Sequence, residues 1–166
     1  MKKKILVVCL LIALVLVPAT AASYKGATRN NTLGLGLNVG TNSGLGLKAG
    51  IGKSDIIADL GFGALNFDFS IDAAYMYEVA SIKLNNHNSI PVTVGGGANV
   101  GIDFKSFDSV NVGVFGMAGL EYTFKDVPIN LYGRLGLGLN LGVEGDQVDA
   151  GFGWMLHIGA LYMFDI

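Results

Sequence analysis

Apolar and small side chains alternate along most of the chain after residue 31. The clearest run covers 148–166, where every even position is apolar or aromatic and the odd positions are small or mixed in character. Side chains of a β-strand point to alternate faces, so the run predicts a strand with one apolar face. It is longer than most soluble strands, whereas a tilted membrane strand uses about 9–11 residues. The pattern therefore favours a strand that contacts lipid.

The same alternation recurs in seven further segments. Leucine alternates with glycine in three of them, and short polar or glycine-containing runs separate most neighbours, as expected of turns. The predicted strands are 32–39, 44–51, 56–64, 67–82, 90–104, 110–124, 129–143 and 148–166. The predicted turns are 40–43, 52–55, 65–66, 125–128 and 144–147, with 83–89 linking the fourth and fifth strands. These segments predict an all-β fold.

Two closed arrangements of these strands are conceivable. A lipocalin-like soluble barrel would place the apolar face inside and leave mainly Gly, Asn, Ala and Thr outside, which is a poor soluble surface. A membrane barrel places the apolar face outward and needs a small or polar interior. Charged residues make up only 14% of the chain, against about 25% in typical soluble domains. We therefore expect an antiparallel up-and-down transmembrane β-barrel of eight strands.

The N-terminal residues have the features of a secretory signal peptide. Lysines at positions 2–4 precede an apolar run over 5–17, and small residues follow Pro18. This arrangement predicts cleavage after Ala21 or Ala22. The apolar run is too short for a transmembrane helix, which needs about 20 residues.

Removal of residues 1–22 as a cleaved signal leaves about 144 residues, enough for one domain. Residues 23–31 are predicted to be a short periplasmic leader and residues 32–166 the barrel. The only cysteine, Cys9, lies in the signal, so no disulfide is expected in the mature chain. Three of the 11 basic residues also lie there, which leaves eight against 13 acidic residues. With no basic patch, nucleic-acid binding is not expected.

Aromatic residues on the apolar face fall into two groups at opposite ends of the predicted strands. Two rings at different heights are typical of the interfacial girdles of membrane barrels. The first group is Tyr75, Tyr77, Tyr122, Phe124, Tyr162 and Phe164. The second group is Phe62, Phe67, Phe69, Phe104, Phe152 and Trp154.

The polar side chains on the opposite face are predicted to line the lumen. They are Lys48, Asp59, Asp72, Glu78, Asn99, Asp103, Glu121, Tyr132, Arg134, Asn140 and His157. The predicted turns fix four neighbour relations, in which direct partners lie about 4.5–5.5 Å apart at Cβ. These relations are Lys48 opposite Asp59, Asp59 opposite Asp72, Glu121 diagonal to Arg134, and Arg134 opposite His157.

Two interpretations of this cluster remain open. Lys48, Asp59, Asp72, Glu121, Arg134 and His157 form either an internal polar network that plugs the barrel or a charged constriction that selects solutes. Eight strands enclose little more than side chains, which favours the plug. The many inward glycines leave space for water or a small ligand, which favours a narrow channel or a carrier of small solutes, hydrophobic ones included.

The sequence gives little support for an enzyme. An outer-membrane lipid-modifying enzyme would need a Ser/His/acid group, yet neither His87 nor His157 has a serine and a carboxylate nearby in the predicted register. Two isolated histidines are poor evidence for a zinc site. The glycine run 95–97 lacks the lysine and following helix of a phosphate-binding loop. We expect no catalytic activity, metal or cofactor.

The chain resembles the small eight-stranded outer-membrane barrels of the OmpA/OmpX type over nearly all of residues 32–166. The resemblance lies in the strand pattern. It implies a bacterial outer membrane with both termini in the periplasm. We expect a structural or surface role for the barrel, with outer-membrane lipids as partners. The alternating C-terminal residues, from Ile158 to Ile166, look like the signal that barrel-assembly machineries recognise, although that signal usually ends in Phe. The loops at the other end, near 40–44, 63–68, 105–109 and 144–147, are short, which weakens an adhesin role. We expect the barrel to be a monomer.

Overall fold

A computed structural model describes residues 31–63, 69–84, 89–103, 109–124 and 127–165. The predicted signal peptide and nearly all of the predicted leader lie outside these residues. So do Phe67, Phe104, His87 and Ile166, and the predicted turn at 65–66. No helix in the described part of the chain is long and apolar enough to cross a membrane.

The described residues form eight strands that close into a barrel. Each strand pairs antiparallel with the next one in sequence, and the last strand pairs with the first. The predicted all-β ring of eight antiparallel up-and-down strands is therefore confirmed. The strands are β1 (Thr32–Gly40), β2 (Asn42–Ile51), β3 (Ser54–Gly63), β4 (Phe69–Lys83), β5 (Ser89–Ile102), β6 (Ser109–Thr123), β7 (Ile129–Glu144) and β8 (Gln147–Asp165).

The strands are staggered around the ring. Successive cross-strand partners lead from Thr32 on β1, strand by strand, to Met155 on β8. Thr32 itself pairs with Asp165, ten residues further along β8. A stagger of this size in eight strands corresponds to a strand tilt of about 40° from the barrel axis, given the usual strand spacing and rise.

The connections are tighter than the sequence pattern predicted. Only Gly52 and Lys53 separate β2 from β3, and Gly52 adopts a φ of 63°. That left-handed conformation carries little cost for glycine, which allows a two-residue turn. Similarly, Thr41 alone separates β1 from β2, and Gly145 and Asp146 separate β7 from β8. The four-residue turns predicted at 40–43, 52–55 and 144–147 are therefore too long.

The shorter β2–β3 turn changes one predicted neighbour relation. Lys48 pairs with Ile57 rather than with Asp59, and Asp59 pairs with Gly46. The predicted pairing of Lys48 with Asp59 is therefore wrong by two residues, a shift that leaves both side chains facing inward. The other three relations are confirmed. Asp59 pairs with Asp72, Arg134 pairs with His157, and Glu121 lies diagonal to Arg134 because it pairs with Tyr132.

The two faces of the barrel differ sharply in chemistry. The outward positions of the described strands carry no Asp, Glu, Lys or Arg. Large apolar side chains are exposed there, with Phe152 at 72% and Leu37 at 65%. Charged side chains of the strands instead point inward, where Arg134 is only 2% exposed. The interior is thus more polar than the exterior.

Candidate functional site

Seven ionisable side chains meet inside the barrel and are called the lumen network below. They come from six different strands, and each is at most 5% exposed. Six of them were singled out from the sequence, and Asp55 is an addition. The lumen network consists of Lys48, Asp55, Asp59, Asp72, Glu121, Arg134 and His157.

Lys48 lies between two carboxylates. Its ammonium contacts the Glu121 carboxylate and lies 3.2 Å from the Asp55 carboxylate. β2 and β6 are four strands apart in the ring, so the contact with Glu121 crosses the lumen. The sequence pattern predicts Asp55 as the last residue of the turn 52–55. The two-residue turn instead makes it the second residue of β3.

Arg134 links the part of the lumen network around Glu121 to the part around Asp59. Its guanidinium nitrogens lie 3.8 Å from the Asp59 carboxylate and 3.8 Å from the Glu121 carboxylate. These distances are those of ion pairs and exceed the range of good hydrogen bonds. The guanidinium carbon also lies 3.8 Å from the centre of the Tyr132 ring. This stacking holds the arginine plane in place through a cation–π interaction.

His157 bridges two carboxylates at the other end of the lumen network. Its Nδ1 lies 3.4 Å from Asp59, and its Nε2 lies 3.5 Å from Asp72. Asp72 also accepts a hydrogen bond of 2.6 Å from the Asn42 amide and one of 3.1 Å from the Ser70 hydroxyl. At this end of the lumen network, the Asp72 carboxylate is therefore stabilised by two neutral hydrogen-bond donors, which add no charge.

The lumen network carries more negative than positive groups. Four carboxylates face the two basic side chains Lys48 and Arg134, with His157 as the remaining ionisable group. Buried charges are costly unless they are paired and hydrogen-bonded, so the network must stay assembled for the barrel to tolerate it. The network is a chain of buried ion pairs that runs through the lumen.

An apolar cluster also occupies the lumen. It was not anticipated, because inward positions were expected to be polar or small. Its members are Ile57, Met76, Phe115, Met117 and Met155, each at most 8% exposed.

Glycines make room for the methionines of this cluster. Across β4 to β8, cross-strand partners read Met76, Gly95, Met117, Gly136 and Met155 in turn. A Cβ added to Gly95 would lie 2.9 Å from the Met76 sulfur, and one on Gly136 would lie 3.0 Å from the Met155 sulfur. The long flexible side chains therefore lie over glycines of the neighbouring strands, as methionine does when it fills irregular gaps.

Four other predicted lumen residues occupy different parts of the barrel. Asn99 and Asn140 lie beside Phe115 around Gly113. Glu78 pairs with Thr93 at the end of the barrel where Thr32 lies, and Asp103 follows β5 at the opposite end. The sequence pattern placed these residues on the inward face but could not separate them from the lumen network.

The predicted aromatic girdle residues occupy the outward face. Tyr122 and Phe124 form an edge-to-face pair at 4.9 Å, as Phe62 and Phe69 do at 6.0 Å at the other end. The rings of Tyr162 and Phe164 are also 4.9 Å apart. Tyr75 shares a 2.7 Å hydrogen bond with Ser54, Tyr77 pairs with Ser54 in the register, and Trp154 is 53% exposed.

The spacing of aromatics on β8 sets the height between the two groups. Trp154 and Tyr162 are eight residues apart, and Phe152 and Phe164 are twelve apart. For a rise of about 3.3 Å per residue and a tilt of about 40°, these intervals correspond to roughly 20 and 30 Å along the barrel axis. The apolar band of membrane barrels is about 25 Å tall, within this range.

Within the described residues, no group of three or more His, Cys, Asp or Glu side chains has an arrangement that could hold a metal ion. Comparisons of the chain with protein families, with curated proteins and with solved structures gave no match.

Proposed function

We propose that this chain is a bacterial outer-membrane β-barrel protein with a structural or surface role, exported through a cleaved signal peptide. The observation that carries the proposal is the inverted distribution of side chains. Charged groups are buried in the lumen network, while exposed leucines, phenylalanines and a tryptophan cover the outward face.

An aqueous surface is a poor match for this outward face. Soluble monomers rarely expose contiguous apolar patches larger than a few hundred Å². Here the exposed apolar side chains recur on all eight strands and encircle the barrel. In a bilayer these apolar side chains contact lipid instead of water. A closed ring also leaves no unpaired strand edge in the hydrocarbon. Lipids are then the principal partners, and the chain acts as a monomer.

The filled lumen favours a structural role over transport. The lumen network and the apolar cluster together occupy the interior with side chains from β2, β3, β4, β6, β7 and β8. A barrel of eight strands is narrow enough for side chains to fill. We therefore propose that the interior is plugged. We also propose that the barrel-assembly machinery binds β8, on the basis of its alternating C-terminal residues.

The test combines cell fractionation with gel mobility. The full chain, expressed in a Gram-negative host, is expected in the outer-membrane fraction, shortened by about 22 residues at its N-terminus. An unheated sample should migrate differently from a boiled one, because the closed barrel resists denaturation until heated. A protein found in the soluble periplasmic fraction, with the same mobility before and after boiling, would contradict the proposal.

A further inference from the structure

A groove of about 420 Å³ crosses the outward face of β1, β2 and β3 and ends against β8. Its floor is formed by the small side chains of Ala49 and Ala58. Cross-strand pairing places Ala49 directly between Leu33 and Ile56, and Phe164 pairs with Leu33 on the far side. The larger side chains therefore form walls on both sides of the alanines.

Polar groups lie in and beside the turn between β2 and β3, beyond the groove residues Ala49 and Ile56. Lys53 is exposed in the turn between β2 and β3, and its carbonyl oxygen accepts a hydrogen bond from the Glu78 backbone N–H at 2.9 Å. Ser54 follows it and shares its 2.7 Å hydrogen bond with the Tyr75 hydroxyl. Tyr75 pairs with Ile56, one of the groove walls. Lys53 and Ser54 thus precede the groove wall Ile56 by three and two residues, and the Tyr75 hydroxyl lies beside them.

This combination fits an amphiphile with an anionic head and an apolar chain. The groove is lined almost only by apolar atoms, whereas Lys53, in the turn beyond it, supplies charge complementarity for a phosphate. A second copy of this chain is a weaker fit, because the outward positions of its described strands offer no anionic side chain to meet Lys53. The turn lies at the end of the barrel where Thr32 and Asp165 pair.

We propose that this groove is a binding site for one anionic phospholipid of the membrane leaflet at that end of the barrel. One acyl chain lies across Ala49 and Ala58, and the phosphate contacts Lys53 with Ser54 and Tyr75 nearby. The inference rests on the proposed membrane location and adds a defined lipid partner. It separates these lipid contacts from the non-specific ones around the rest of the ring.

Native mass spectrometry of the full mature protein, refolded in detergent with dioleoylphosphatidylglycerol, tests the apolar half of the site. The wild-type barrel should retain one lipid molecule per chain. Ala58→Trp fills the groove floor and should abolish retention. Ala98→Trp is the matched control, because Ala98 is a small outward residue on β5 away from the groove. Equal retention by both variants would overturn the proposal.

The head-group half is tested with Lys53→Gln. Removing one lysine at a membrane surface should weaken retention of phosphatidylglycerol about fivefold, with little effect on dioleoylphosphatidylcholine, whose head group has no net charge. Lys83→Gln is the control, since Lys83 is the last residue of β4, at the same end of the barrel. Equal losses for the two variants, or equal losses for the two lipids, would contradict a phosphate contact at Lys53.

Gel mobility of the same samples distinguishes a failure of the proposed membrane barrel from a failure of the proposed lipid site. If the wild-type chain fails to form a heat-modifiable barrel in detergent, the proposed membrane barrel is wrong. If all variants form the barrel and retain lipid equally, only the lipid site is wrong. A dimer peak that disappears with Ala58→Trp but not with Ala98→Trp would assign the groove to a second copy of the chain and would also overturn the lipid proposal.

Discussion

Lys48 shows how this barrel tolerates buried charge. Its ammonium lies among the carboxylates of Asp55 and Glu121, and all three side chains are at most 5% exposed. Taking these groups out of water is costly, and only close opposite charges offset that cost. The stability of each carboxylate therefore depends on Lys48 remaining in place.

We expect Lys48→Met to destabilise the barrel by about 3–5 kcal/mol, because it removes the buried cation that contacts both the Asp55 and the Glu121 carboxylates. Glu121→Gln in the same chain should restore part of that loss. The free energy of unfolding, measured by urea titration of the barrel in lipid vesicles, gives the coupling energy through a double-mutant cycle.

The matched cycle pairs Lys48→Met with Asp59→Asn. Asp59 contacts Arg134 and His157 rather than Lys48, so its coupling to Lys48 should be the smaller of the two. A larger coupling for Asp59 than for Glu121 would restore the neighbour relation predicted from the sequence and would contradict the two-residue turn.

Two glycines of β7 differ in what surrounds them. A Cβ added to Gly138 would collide with the Val114 carbonyl oxygen and the Phe115 Cα, which belong to the backbone of β6. A Cβ added to Gly133 would meet nothing within 4 Å. Only the first glycine is required by the close approach of the two strands.

We therefore expect Gly138→Ala to lower the free energy of unfolding clearly, by about 1–3 kcal/mol, since a small-to-large change in a packed site forces a backbone shift. Gly133→Ala should change it by less than about 0.5 kcal/mol, as surface substitutions usually do. Urea titration of both variants beside wild type provides the measurement. Similar losses for the two variants would show that the strand spacing does not distinguish them.

At the scale of the strand, the sequence carries most of the fold. Alternation gave the eight strands and the correct inward and outward faces, because the period of two is a direct consequence of strand geometry. The cross-strand register was harder to predict from the sequence. Between β2 and β3 it depends on whether the turn has two or four residues, and Gly52 was not recognised as the left-handed position that permits the shorter one.

Contacts across the lumen could not be predicted from neighbouring strands. The Lys48–Glu121 contact joins β2 to β6, and it depends on how the closed ring brings opposite walls together. The apolar cluster was missed for a related reason. Met117 and Met155 occupy inward positions, but only the glycines on adjacent strands show that the interior has room for them.

The outward face of β7 allows a direct test of its environment. Leu137 is 52% exposed and lies on this face between Leu135 and Leu139. If the face contacts lipid, Leu137→Arg should cost about 2–4 kcal/mol near the bilayer midplane. Leu137→Ala should be tolerated far better. Folding yield and unfolding free energy in vesicles measure both, and equal tolerance of Arg and Ala would show that the face does not lie in the bilayer.

At the scale of the whole molecule, closure of the strand ring and packing of side chains in its interior are linked. Eight strands with a stagger of ten residues form a narrow ring, and the interior receives side chains from almost every strand. Narrow barrels are stabilised when their interior is packed rather than open. The Lys48–Glu121 contact of the lumen network connects opposite walls, and three methionines are buried in the same interior. The same side chains that stabilise the ring would therefore obstruct solutes.

Planar-bilayer recordings test this connection between packing and transport. The purified protein should show little or no steady current, because the lumen network and the apolar cluster both occupy the interior. Arg134→Ala should leave the current low, since Phe115, Met117 and Met155 remain in place. Leu137→Ala, which alters only the outward face, serves as the control for insertion and handling. A reproducible wild-type conductance that changes with Arg134→Ala but not with Leu137→Ala would contradict the plug and favour a narrow channel in which Arg134 contacts the permeating solute.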